Sequence, residues 1–127
     1  MASTSPMQSK FEAEVDVFNA LQKDYSKAVS ARTQLEAQLS ENEAVKKEFE
    51  LLKDDTVVYK LIGPVLVKHD RVEAADNVIK RIEFIRVEIS RLENQIKDLN
   101  EKQDKKKEEL VKMQQMVQQA AAAGGKQ

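Results

Sequence analysis

His69 is the one histidine of a 127-residue chain that has no cysteine. A thiolate nucleophile activated by imidazole needs both residue types, and a multi-histidine metal site needs several imidazoles, so neither can be assembled here. The adjacent acids Asp54 and Asp55 suggest paired carboxylates or ligands of a hard cation. Consecutive side chains point different ways, however, and no third ligand stands nearby, so the pair reads as the end of a helix. Gly124-Gly125-Lys126 carries the glycines and lysine of a phosphate loop without the preceding strand, the first glycine or the following helix. Lys105-Lys106-Lys107 is flanked by Asp104, Glu108 and Glu109, which reads as a solvated helix face or, alternatively, as a docking patch for an acidic partner. No catalytic residue, metal ligand or cofactor site emerges. The expectation is a binding or structural protein, not an enzyme.

Composition points the same way. The chain has 21 Lys and Arg against 22 Asp and Glu, a net charge of −1, and no clustered basic excess to attract nucleic acid or anionic lipid. No apolar run approaches the roughly 20 residues needed to span a bilayer. The chain begins without an apolar leader, and lack of cysteine fits a reducing compartment. The expectation is a soluble, cytoplasmic protein with neither nucleic acid nor membrane as partner. Charged residues make up 34% and aromatic ones only 5%, yet 41% are hydrophobic. That balance suits a long amphipathic helix or coiled coil better than a compact core or a disordered chain.

Three glycines and two prolines leave residues 7–62 and 65–123 without a breaker. Ser5-Pro6-Met7-Gln8 places a capping serine before proline at the first helical position, so a helix is expected over 6–54. Its heptad positions are Phe11, Phe18, Tyr25, Arg32, Leu39 and Lys46, alternating with Glu14, Leu21, Ala28, Leu35, Asn42 and Phe49. Asp70-Arg71-Val72-Glu73 caps a second helix over 70–119. Its seam runs Ala75, Val78, Ile82, Ile85, Ile89, Leu92, Ile96, Leu99, Gln103, Lys106, Leu110, Met113 and Val117. A repeat of about 3.5 residues held this long demands a coiled-coil partner. Residues 120–127 have nothing to bury and are expected to be disordered.

Between the helices, residues 56–69 read as a β-hairpin turned at Gly63-Pro64. A lone hairpin is marginal in water, and Val57, Val58, Tyr59, Leu61, Ile62, Val65, Leu66 and Val67 form an apolar set that a plain connector has no reason to expose. The hairpin is therefore expected to be an assembly surface. It folds the helices into an antiparallel pair of arms, each roughly 65–70 Å long, in which partner residue numbers sum to about 125. Toward the chain termini the seam is broken by Gln103 and Lys106, beyond which Phe11, Val15, Phe18, Leu110, Met113, Met116 and Val117 are either ordinary core or an accessible, adaptable tip.

The run from Val58 to Lys68, set between two heptad helices with one hairpin, resembles the beta-type subunits of the prefoldin family, and the resemblance spans Phe11 to Val117. It implies a mainly α single domain over 1–127 and a hetero-hexamer of alpha- and beta-type subunits, whose hairpins assemble into a platform of intersubunit β-barrels. It further implies an ATP-independent co-chaperone that holds unfolded clients, actin and tubulin above all, at the arm tips and passes them to the cytosolic group II chaperonin. The competing expectation is a structural coiled-coil scaffold or tethering subunit.

Overall fold

The computed structural model describes residues 5–124. Four elements follow in chain order: α1 (Pro6–Leu51), β1 (Val58–Ile62), β2 (Val65–His69) and α2 (Arg71–Gly124). Both helices start on a side-chain cap. Ser5 Oγ accepts the Gln8 N–H at 3.1 Å and the Ser5 carbonyl accepts that of Ser9 at 2.9 Å, while Pro6 occupies a position whose N–H has no helical partner in any case. At α2, Asp70 Oδ2 accepts the Glu73 N–H at 3.3 Å and the Asp70 carbonyl accepts that of Ala74 at 2.8 Å. Glu73 then lies near the positive end of the helix dipole.

The helix ends differ from the predicted ones. α1 stops at Leu51 and not at 54, because the Leu52 N–H turns to the Phe49 carbonyl (3.3 Å) and the Thr56 N–H to that of Lys53 (3.0 Å). Such tightened turns close a helix end. The expected disorder from residue 120 is corrected: α2 continues through the alanine run to Gly124. Alanine has the highest helix propensity, and extending an existing helix carries no nucleation penalty, so the run needs no burial to remain helical. Residues 125–127 lie outside the described part.

β1 and β2 pair antiparallel with Ile62 opposite Val65 and Val58 opposite His69, leaving a two-residue loop. Gly63 has φ +59° and the Pro64 ring fixes a negative φ, the sequence of a type II′ turn whose twist matches that of paired strands.

Packing divides the chain, expected as one domain, into two compact units: Ala31–Glu93, and the residues up to Ser30 together with those from Asn94 on. In the 31–93 unit Ala74, Val78, Ile82, Ile85, Ile89 and Leu92 are buried at three- and four-residue spacing, each contributing up to about 1.5–3 kcal/mol if Val, Ile or Leu. Ala74, not Ala75, fills the first buried position, and Lys46 is exposed. In the other unit only Ala28 and Leu99 are buried among the described residues. Within each unit the two helices run antiparallel. The cross-helix pairs Arg86–Glu43, Arg81–Asn42, Arg32–Glu93 and Lys106–Glu14 have numbers summing to between 120 and 129, around the predicted value.

Candidate functional site

Two apolar surfaces stand out, one in each unit. In the 31–93 unit it is the hairpin. Side chains alternate between faces, so Val58, Lys60, Ile62, Val65, Val67 and His69 share one and Tyr59, Leu61, Leu66 and Lys68 the other. Tyr59 is 54% exposed, Leu61 66%, Ile62 57%, Val65 56% and Leu66 64%. Val57 and Val67 are exposed too, as are Gly63 and Pro64, and Val58 is half-buried. Among the described residues the sheet has only these two strands, so each offers an unpaired edge. A two-stranded sheet apolar on both faces and open at both edges is at best marginally stable by itself in water.

Arg71 links the start of α2 to the loop that follows α1. Its Nη1 donates to the Lys53 carbonyl at 2.9 Å and its Nη2 to Asp54 Oδ1 at 3.3 Å, tying the end of α1 to the start of α2. Asp54 meets Arg71 from a fully exposed position. His69 is half-buried at the end of β2. Among the described residues no group of three or more His, Cys, Asp or Glu is placed to hold a metal ion, and no helix is long and apolar enough to cross a membrane.

The other surface is at the free ends of the helices. Pro6, Met7, Lys10, Met113 and Met116 line a groove of about 400 Å3. Met116 is 53% exposed and Met7 38%. Of the predicted tip residues the structure brings Met113 and Met116 into this groove, whereas Phe11, Val15, Phe18, Leu110 and Val117 stay half-buried. Met7 and Lys10 are not among the predicted residues. The antiparallel numbering rule carries the missing signal, since it sets Met7 level with Met113 and Met116.

The polar breaks in the seam are electrostatically organised. Lys106 Nζ donates to Glu14 and, at 3.0 Å, to Glu109. These bonds, that to Glu14 foremost, raise its pKa above the ordinary 10.5. Arg32 donates to Glu93 at 2.7 and 3.2 Å and meets Glu36 at 2.9 Å, and the bond to Glu93 raises its pKa further. Gln103 has no such partner: its buried Nε2 makes no hydrogen bond.

This geometry has counterparts among known proteins. Residues 12–117 match the family described as prefoldin subunit. The chain is 48% identical over 99 residues to prefoldin subunit 6 of Homo sapiens, covering 78% of this chain and 77% of that protein. It is 47% identical over 100 residues to that of Arabidopsis thaliana, covering 79% and 78%. The crystal structure of the prefoldin beta subunit from Thermococcus strain KS-1 superposes with a TM-score of 0.72 at 28% identity, covering 87% of this chain and 94% of that one. With two long helices, a single hairpin and a family match over most of its length, this chain belongs to the prefoldin family.

Proposed function

We propose that this chain is one arm of a hetero-oligomeric, ATP-independent holdase, joined to alpha- and beta-type prefoldin subunits through its hairpin and holding unfolded protein at the methionine-lined groove. The observation that carries this reading is that the hairpin exposes a contiguous apolar set, Val57, Tyr59, Leu61, Ile62, Val65, Leu66 and Val67, while three methionines converge on one groove in the other packing unit; exposed apolar residues elsewhere, such as Phe84 and Val87, stand on the helices. The hairpin supplies two faces and two edges that neighbouring strands cover, as in a barrel of hairpins. In the groove, unbranched thioethers adapt to irregular apolar segments. Each arm binds weakly, and several arms around one client raise the effective concentration, so a client is held firmly and released stepwise. Phe11, Val15, Phe18, Leu110 and Val117 extend the groove's apolar character when the loosely buried seam opens. The clients are of the actin and tubulin class and the recipient is the cytosolic group II chaperonin, as the family resemblance implies, which places the work in the cytosol.

Removing residues 1–18 and 107–127 from this chain in the assembled complex should abolish its contribution to suppressing aggregation of denatured actin while leaving the mass of the complex otherwise unchanged. Equal protection by the truncated complex would leave the scaffold reading in its place. Tyr59→Glu with Leu61→Glu should instead prevent incorporation, and an unchanged assembly mass would rule out the hairpin as the joint.

A further inference from the structure

All the sulfur of this chain is thioether: it has four methionines and no cysteine. Three of the four, Met7, Met113 and Met116, come from opposite ends of the sequence to line one groove of about 400 Å3; Met1 lies outside the described residues. Neither the hairpin nor the buried core of the 31–93 unit contains sulfur. Among the described residues, oxidation chemistry directed at sulfur therefore falls on the groove and spares the proposed joint.

We propose that the groove is a methionine sulfoxidation site through which peroxide switches off client binding by this arm. The inference rests on the groove holding clients, as proposed above. A thioether lone pair attacks one oxygen of hydrogen peroxide, the O–O bond breaks and an S–O bond forms. The departing hydroxide takes up a proton, so the sulfide is oxidised to sulfoxide and the peroxide reduced to two-electron product, water. Solvent access decides the order: Met116 and Met7, 53% and 38% exposed, react before the half-buried Met113. Each sulfoxide replaces a soft apolar surface with a strong hydrogen-bond acceptor. A client segment must then leave that dipole unpaired on docking, and an unpaired polar group in an apolar contact is unfavourable. The reverse step belongs to methionine sulfoxide reductases, which reduce the sulfoxide at the expense of two thiols and give sulfide, disulfide and water.

The test uses the full chain with a benzophenone amino acid at position 10, on the rim of the groove. The chain is treated with hydrogen peroxide, freed of it, assembled with untreated partner subunits and cross-linked to denatured actin. Peptide mass mapping should find one added oxygen on Met116 and Met7 first. Cross-linking to this chain should fall roughly tenfold, a ratio worth about 1.4 kcal/mol, with the assembly mass unchanged. Methionine sulfoxide reductases A and B with dithiothreitol should restore it. The variant Met7→Leu, Met113→Leu, Met116→Leu, close in volume and helix propensity, should cross-link before and after peroxide alike. Undiminished cross-linking by the oxidised chain, an equal loss in the leucine variant, or loss of assembly overturns the proposal. Met113→Glu separates the two ideas. If this unoxidised variant cross-links as well as the parent, the groove does not hold clients; if it fails while oxidation has no effect, the groove reading stands and the switch alone falls.

Discussion

Replacing Gln103 by leucine should stabilise the unit that contains the chain's free ends. Gln103 occupies a seam position of α2 between Leu99, which is buried, and Lys106, whose charge is paired. Its Nε2 is shielded from water and bonded to nothing. A desolvated amide without a partner costs about 1–3 kcal/mol. Leucine has nearly the same helix propensity, so the backbone term cancels, and the antiparallel numbering sets its apolar surface level with the half-buried Phe18 and Leu21. As residue 103 is itself only half-buried, the expected gain is at the lower end, about 1–2 kcal/mol. Thermal unfolding followed by circular dichroism should shift upward by about 3–5 °C per kcal/mol for a chain of this size. Amide hydrogen exchange gives the sharper reading, because each 1.4 kcal/mol slows opening tenfold. The slowing should appear in residues 5–30 and 94–124, with 31–93 unchanged. Gln103→Glu should shift both measurements the other way by burying an unpaired carboxylate. An unchanged or lower Tm for the leucine variant, or protection gained only in 31–93, would refute the reasoning that the amide is an unsatisfied group in a loosely packed seam.

Other perturbations follow from single contacts. Gly63→Ala puts a Cβ where nothing lies within 4 Å, so its cost is that of φ +59° alone, about 1–2 kcal/mol; association with partner subunits, measured by native mass spectrometry, should weaken by roughly tenfold. Arg71→Ala should lower Tm by the equivalent of about 0.5–1.5 kcal/mol, since it removes the donor to the Lys53 carbonyl. Asp54→Ala should be nearly silent in the same melt, because that carboxylate is fully exposed. Lys106 has its pKa raised above 10.5 by Glu14 and Glu109, so its contribution is complete below about pH 10.5 and is lost as pH rises through the folded-state value. Melts at pH values from 9 to beyond 10.5, about the ordinary lysine pKa, should fall more steeply for the parent than for Lys106→Met.

What periodicity could reveal was the part of the fold that repeats. A seam that alternates three- and four-residue steps from Val78 to Val117 is legible because every member does the same thing, and all of these residues are buried or half-buried. Ser5 and Asp70 are legible as caps because their side chains act on neighbours three residues away. Arg71 is not, since one arginine beside a cap has no repeat to announce it and its partners lie 17 and 18 residues back. Lys46 is misplaced for the related reason that an extrapolated heptad carries on after the helix face has drifted. The alanine tail is misread because burial was taken as the only source of helicity. Of the groove, Met113 and Met116 are visible as apolar residues near the end of the seam, whereas Met7 becomes visible only once the two helices are laid level.

The charged seam positions do what the apolar repeat cannot. A heptad repeat looks the same after a shift of seven residues, so leucines and isoleucines alone leave register degenerate. The two-residue turn at Gly63-Pro64 fixes register near the hairpin, but its influence fades with every turn of helix away from it. Arg32 faces Glu93, and a one-heptad slip would set it against Arg86 or Asn100, exchanging attraction for like-charge repulsion or neutrality. Lys106 faces Glu14, and the same slip would press Glu14 against Leu99 or Met113. The second mispairing leaves the Glu14 carboxylate partly desolvated without its counter-ion, which is unfavourable; the first takes Glu93 from Arg32, which keeps Glu36 on its own helix. The cost of these polar residues is a seam with less apolar burial, and that cost is greatest in the unit carrying Lys106 and Gln103, where only Ala28 and Leu99 are buried among the described residues. Specifying register and loosening the free ends are thus one physical choice: the residues that forbid slippage also keep the neighbouring aromatic and methionine side chains from closing into a finished core.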